Sequence, residues 1–369
     1  MGTTAENILP LACLLTGQAV PKVRAAQEVV GMVDGSDIAG PEASANEPRV
    51  AVIGGGVAGL ACARALVDGG VPCLVLEKSR NLGGRAATRR EGERNFDHGA
   101  PSLTARGAEF AAVVDNWRAS GGVQDWTAAV EVGRALLPKV GEDRLVVVPG
   151  MSAIGRLVGG ELKCETSTVV ISASRAAGSW RLTAADGRTF GPFAAVAVAV
   201  PAPQAAPFLA AAPALAERAA SVEFAPCWTV IVEFAGPVTP SSDLSLAQDG
   251  VLAWAVHEAS RPGRLPGERW VLHANARWST EHIEAAKAVV VDALLASFAA
   301  RVGEPMPEVV FAAAHRWRYA LAKNPLGAEC LWDAPTMLGA CGDWCATGDI
   351  EGAWRSGRAL AAAMLAALG

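Results

Sequence analysis

Three glycines, one acid and one arginine carry the clearest chemistry in this sequence. Gly54, Gly56 and Gly59 follow the apolar run Val50-Ala51-Val52-Ile53 and open a helix-like stretch that begins at Val57 and Ala58. Gly54 suits a tight turn off a strand, Gly56 leaves room for a pyrophosphate against the backbone, and Gly59 lets helix and sheet pack closely. A helix N-terminus offers free N–H groups and partial positive charge to phosphates. A second apolar run, Cys73-Leu74-Val75-Leu76, ends in Glu77 and Lys78. Glu77 stands 18 positions after Gly59, near the spacing at which a carboxylate reaches ribose hydroxyls. An acid there repels a 2′-phosphate, which argues against NADP in this site. Gly83-Gly84-Arg85 follows, with backbone able to pass under a ligand and a forked guanidinium suited to phosphate. Together these residues predict a strand, glycine turn, helix and strand that bind a dinucleotide.

A second constellation lies near residue 340. Leu338 to Cys341 reads as a strand ending in Gly342-Asp343, and Glu351-Gly352-Ala353 opens a helix running to residue 369. This places a second helix N-terminus and an Asp at a ligand. Reduction of a flavin puts negative charge on its N1–C2=O edge, which a helix dipole stabilises.

Between the two constellations, Phe96-Asp97-His98-Gly99-Ala100 reads as a turn whose small residues, Gly99 and Ala100, let backbone approach a flat ring. His98 reads as a structural histidine, and Arg89 and Arg90 as solvated surface. Residues 107–119 have the pattern of a helix, with short strands around Val130 and Leu145 and a helix start at Pro149 and Ser152. Residues 168–172 and 194–200 read as strands, and Asp186-Gly187 marks a hairpin. Further strands are expected over 228–234, 253–257, 270–274 and 312–319, with one long amphipathic helix from Ser279 to near Val302.

The chain has 369 residues, 51% of them apolar, and a net charge of −5. That length allows about two domains, and the charge leaves no footprint for nucleic acid. The longest apolar tract, 193–216, is interrupted by four prolines, so no membrane span is expected. The eight cysteines show no CxxC and lie mostly in apolar runs, so neither a disulfide framework nor a metal site is expected. The first basic residue is Lys22, so residues 1–48 lack the pattern of a secretory signal. They read as a poorly ordered extension, with a short helix around 22–30, and the location reads as cytoplasmic.

The blocks GGGVAGL, LEKSRNLGGRAATRR, FDHGA, VPGMSAIGR, HRWRYA and LGACGDWCATGDIEGAWRSG together resemble the bacterial renalase-like group of FAD-dependent oxidoreductases, within the wider amine oxidase and phytoene desaturase superfamily. The resemblance covers residues 49–369. It implies an α/β flavoprotein with two domains: a Rossmann-type FAD-binding domain (49–106, 148–204 and 332–369) and an inserted, helix-covered mixed-sheet substrate domain (107–147 and 205–331). It further implies non-covalent FAD. Gly54, Gly56, Val57, Ala58, Gly59, Glu77, Lys78, Gly84 and Arg85 would hold the ADP half, and Val170 would contact adenine. Gly99, Ala100, Gly342, Asp343, Glu351, Gly352 and Ala353 would lie along the rest. The implied reaction takes hydride from 2- or 6-dihydronicotinamide dinucleotides to flavin N5 and passes the electrons to O2, giving NAD(P)+ and H2O2. Pro101-Ser102-Leu103-Thr104 departs from the polar-aromatic run that follows FDHGA in the family, and bears on substrate choice if that loop faces the flavin.

Two alternatives stand beside this reading: a flavin amine oxidase or related desaturating oxidase, and a flavin-binding redox module without turnover. Amine oxidases of the superfamily often box the amine between two tyrosines and carry a lysine near flavin N5. This chain has one tyrosine, Tyr319, and no lysine between Lys163 and Lys287. Hydride transfer from a dihydronicotinamide needs only a flat slot and good positioning. Trp228, His273, Trp317 and Tyr319 are candidates for lining that slot, although a lone histidine such as His273 on an apolar strand is more often a core residue.

Overall fold

The computed structural model describes residues 49–132, 135–137, 144–238, 244–246, 250–303 and 305–369. The expectations for residues 1–48 lie outside the described residues.

Three four-residue apolar runs, Val50–Ile53, Cys73–Leu76 and Ala195–Val198, form the centre of the first sheet. Its order is Leu331–Asp333, Leu338–Ala340, Ala195–Val198, Val50–Ile53, Cys73–Leu76 and Cys164–Glu165. All pairs are parallel except the first, with Val52 opposite both Val75 and Ala197. Strands covered on both faces read as unbroken apolar stretches, and the four residues of Val50–Ile53 are all buried. Val50 and Val52 face the helices Val57–Asp68 and Ile350–Leu368. Ala51 and Ile53 face Trp180, Leu182 and Phe193 of a three-stranded antiparallel sheet, together with the short helices of 202–220. The Asp186-Gly187 hairpin falls where the sequence places it, between Ser179–Ala184 and Thr189–Phe193.

The two long helices touch through a small residue. A side chain on Gly357 would lie 2.1 Å from the Ala58 carbonyl oxygen, so glycine is what lets the Ile350–Leu368 helix press against the helix that opens the glycine turn.

The second sheet runs Val309–Ala322, Phe224–Phe234, Arg269–Ala274, Leu252–His257, Leu244–Leu246, Val130–Val132 and Ala135–Leu137. Side chains alternate across it. Trp228, Val230, Val232, Trp270 and Leu272 pack on Val290, Leu294 and Phe298 of helix Lys287–Val302. Ile231, Val256 and Val271 face the other way, into the core that contains Phe96 and the first sheet.

The long helix expected from Ser279 is two helices, Ala276–Glu281 and Lys287–Val302. The break has a tertiary cause: the His282 carbonyl accepts from Trp228 Nε1 at 2.9 Å and the Ile283 carbonyl from Arg316 at 2.7 Å. Two segments expected in the substrate domain pack with the first sheet. Phe110 of helix Ala108–Ala119 meets Trp354 at 5.3 Å between ring centroids, and Leu215 and Ala219 of helix Pro213–Ala220 join the Trp180 core.

Candidate cofactor site and facing sheet

Gly54 leaves the first strand at φ +109°, a conformation open to glycine alone among common residues. At Gly59 an added side chain would lie 1.9 Å from the Gly54 carbonyl oxygen, so close packing demands glycine. Gly56 is different. A side chain there would meet nothing nearer than the Gly84 Cα at 3.9 Å, and φ is −77°. The protein itself does not require glycine at this position, and the open backbone leaves room for a phosphate. The helix Val57–Asp68 that starts here has no side-chain cap at its N-terminus, which leaves its donors for such an anion.

Glu77 is buried at the end of the second strand. Its carboxylate accepts from the Gly55 N–H at 2.6 Å and the Ser79 N–H at 2.7 Å. Each oxygen keeps a lone pair for a ribose hydroxyl. The Thr168 N–H donates to the Glu77 carbonyl at 2.9 Å, which brings the start of strand Val170–Ala176, and Val170 with it, beside the acid. Lys78 is exposed and adds no contact to this network among the described residues.

Gly83 N–H donates to the Gly55 carbonyl at 2.8 Å, so Gly84 and Arg85 lie against the glycine turn. The Arg85 guanidinium forks onto Asp343 at 3.0 and 2.5 Å and donates to the Ala320 carbonyl at 3.0 Å. This joins the first constellation to the second. The Ala100 N–H donates to the Arg85 carbonyl at 3.0 Å, which sets the half-buried Gly99 and Ala100 beside the pair. Gly342 is held by its N–H to Ser356 Oγ at 3.0 Å. The open cradle at Gly56, the uncapped N-terminus of helix Val57–Asp68 and the remaining lone pairs of Glu77 fit FAD.

The start of the last helix is more occupied than expected. Asp349 caps it, accepting the Gly352 N–H at 2.7 Å, and the Ala353 N–H donates to the Asp349 carbonyl at 2.9 Å. The Glu351 carboxylate accepts from the backbone N–H of Arg106 and Gly107, each at 2.8 Å. Glu351 therefore pins the 101–107 loop, and its side chain is spent on protein.

The second sheet meets the 96–100 turn directly. Trp317 Nε1 donates to the His98 carbonyl at 2.9 Å, and His273 Nε2 lies 3.2 Å from the Gly99 carbonyl, which it can meet only as a donor. His98 packs on His315 at 4.9 Å and on Trp317 at 5.2 Å between centroids. Thr229 lies opposite both His273 and His315 in register. Burial, helped by His273 and Arg89, pushes His98 down to about 4. Burial pushes His273 down to about 4 as well. Burial, with His98, Lys287 and Arg89, does the same to His315. All three imidazoles are neutral at pH 7. Tyr319 lies further along the same strand with its ring on Phe224.

Trp228 is a correction. It is 2% exposed on the opposite face of the sheet, over helix Lys287–Val302, and its N–H is bound to the His282 carbonyl. Alternation turns it away from the turn and turns Thr229 toward it. His98 and His315 join the facing group instead. The sequence signal for them was period-two spacing along His315-Arg316-Trp317-Arg318-Tyr319, read together with FDHGA.

Residues 52–117 match the NAD(P)-binding Rossmann-like domain, and residues 119–365 match the flavin containing amine oxidoreductase family. Among solved structures, a protein assigned as a protoporphyrinogen oxidase from Exiguobacterium sp. 255-15 superposes with a TM-score of 0.67 at 14% identity, covering 87% of this chain and 98% of that one. A cofactor-binding triple mutant of putrescine oxidase gives 0.64 at 13% identity, covering 86% and 99%. Cyclohexylamine oxidase from Brevibacterium oxydans IH-35A gives 0.64 at 14%, covering 87% and 99%. At such identities these likenesses speak for the fold. With the Rossmann-type turn, the Glu77 and Arg85–Asp343 contacts and a family match spanning most of its length, the chain belongs to the flavin-containing amine oxidoreductases and is an FAD-dependent oxidoreductase.

Proposed function

We propose that this enzyme oxidises dihydronicotinamide dinucleotides carrying their extra hydrogen at ring position 2 or 6, with O2 as electron acceptor, yielding NAD(P)+ and H2O2. The observation that carries the reading is the lining of the sheet face at the 96–100 turn. It is aromatic and uncharged: Trp317, with His98, His273 and His315 all held neutral. A neutral ring that becomes aromatic on losing hydride suits such a face. An alkylammonium substrate would find there a ring face but no carboxylate to pair with.

Bound FAD supplies the two-electron acceptor. The chain's part is positioning. Trp317 is locked by its bond to the His98 carbonyl, and the 99–100 backbone by His273 and by Arg85. A donor ring must lie within about 3–3.5 Å of its acceptor, so a slot fitted to positions 2 and 6 misplaces a hydride at position 4.

Amine oxidation is the second reading. Two structural neighbours, putrescine oxidase and cyclohexylamine oxidase, are named for amine substrates. Against it stand the single Tyr319 and the lysine-free stretch from 164 to 286, which covers strand Phe224–Phe234. Anaerobic stopped-flow mixing with the 2- and 6-dihydro isomers, NADH, benzylamine and polyamines tests both readings. Flavin bleaching is expected to be fastest with the 2- or 6-isomer; bleaching by an amine alone overturns the proposal.

A further inference from the structure

Behind the 97–101 turn lies a buried group of four charges. Asp97 and Arg261 have side chains 1% exposed, Glu258 is 0% exposed and Arg264 is 4% exposed. Arg264 pairs with Asp97 and lies 3.4 Å from Glu258. Arg261 lies 3.2 Å from Glu258 and 3.5 Å from Asp97. The group pairs two guanidiniums with two carboxyls, and burial, opposed by Arg261 and Arg264, pushes the Glu258 carboxyl up to about 7.

The group reaches outward through four segments. Asp97 Oδ1 accepts from Thr88 Oγ1 at 2.6 Å and from the Met151 N–H at 3.0 Å, so it also caps the turn that starts at Gly150. Arg261 Nη1 donates to the Pro101 carbonyl at 2.5 Å, and its guanidinium lies over the Trp126 ring at 4.6 Å. Trp126 Nε1 in turn donates to Ser260 Oγ at 3.2 Å.

Stability does not account for this arrangement. Taking four charges out of water costs several kcal/mol per ion, and well-packed apolar residues of similar volume often do as well or better. Many of the polar atoms also lack an aligned hydrogen bond: both Glu258 oxygens, Arg261 Nε and Nη2, and Arg264 Nη1. What the charges provide is direction. They fix Asp97 and the Pro101 carbonyl, the two ends of the turn whose middle is His98-Gly99-Ala100. That middle carries the contacts to Trp317, His273 and Arg85.

We infer that Arg261 and Arg264 are positioning residues for the redox site: with Asp97 and Glu258 they brace the 97–101 turn from the second sheet's side and so set how the Gly99–Ala100 backbone meets the flavin. The inference rests on FAD lying along that backbone and on no particular hydride donor.

The test uses FAD-loaded enzyme in three forms: Arg261→Met, Arg264→Met and Arg261→Lys. Visible spectrum and midpoint potential are read first, because they need no substrate. The methionine variants are expected to shift both. Reduction by the best dihydronicotinamide donor is expected to slow about 10–100-fold, the scale set by a displacement of about 1 Å. Arg261→Lys keeps the charge without the fork and is expected to fall between wild type and Arg261→Met. If a methionine variant does not fold, the lysine variant decides. Folded variants with an unchanged spectrum and potential, differing only in unfolding temperature, overturn the inference. A wild-type enzyme that no dihydronicotinamide reduces overturns the proposed substrate instead, and the first two readouts still decide the brace.

Discussion

Gly56 and Gly59 stand three residues apart and answer to different demands. The chain itself crowds Gly59, while at Gly56 the only nearby protein atom is the Gly84 Cα. Gly56→Val is therefore expected to fold with near-normal stability and to lose FAD affinity by about tenfold or more, equivalent to about 1.4 kcal/mol. Gly59→Val is expected to unfold the domain. Titration of apo protein with FAD, beside thermal unfolding, separates the two; equal damage to stability from both would show that Gly56 is structural. Glu77→Ala tests the ribose contact and is expected to weaken FAD binding by about 1.5–3 kcal/mol, part of it through the freed Gly55 N–H. The three neutral histidines set a pH dependence. Their pKa values fall to about 4 on folding from 6.5. The unfolded chain therefore binds more protons between those values, and stability is lost as pH drops from about 6.5 toward 4. Each contributes at most about 1.4 kcal/mol per pH unit, His315 least because it is the most exposed. Unfolding temperatures that stay flat between pH 7 and 5 would contradict this.

Individual elements show where sequence reading succeeds and where it stops. The turn from Val50–Ile53 into helix Val57–Asp68 was legible because its demands are local: a positive φ, a close approach and an acid at fixed spacing. The strands of the second sheet were legible as apolar runs, but their faces were not. In Phe224–Phe234 nearly every residue is buried, so alternation leaves no polar mark and Trp228 could not be told from Thr229. The charged brace was invisible for another reason. Asp97 and Arg264 are 167 positions apart, and nothing near either predicts the meeting. The last helix was legible from Glu351, but its cap is Asp349. Asp349→Ala is expected to cost about 0.5–2 kcal/mol, measurable by urea unfolding, with FAD affinity falling as the Gly352 end frays; an unchanged midpoint would mean that water replaces the cap without loss.

The two large sheets meet at the 96–100 turn, at the Arg85 bond to the Ala320 carbonyl and through the core that holds Ile231, Val256 and Val271. The first binds the nucleotide with backbone and a few charged forks; the second offers an uncharged aromatic face. His98, Gly99 and Ala100 belong to the first by sequence and to both by contact. On the proposed function, chemistry would be set where the two sheets touch, with Trp317 and His273 reaching the turn through its backbone carbonyls.

The order of the first sheet has a consequence for biosynthesis. Strand Val50–Ile53 emerges from the ribosome early, yet its neighbours on one side are Ala195–Val198 and then Leu338–Ala340, and the helix against its own helix ends at Leu368. The second sheet's strands, by contrast, are complete by Ala322. A nascent chain can pair every strand of the aromatic face before Asp343 or the helix from Ile350 has been made. On the proposed site, FAD would load only once residues 338–368 have been made, and until that point the Val57–Asp68 helix lacks the Ile350–Leu368 helix that packs against it. Chaperone binding during translation should concentrate in that interval, and a chain arrested at residue 336 should be protected from protease over 224–322 while remaining open at 50–76.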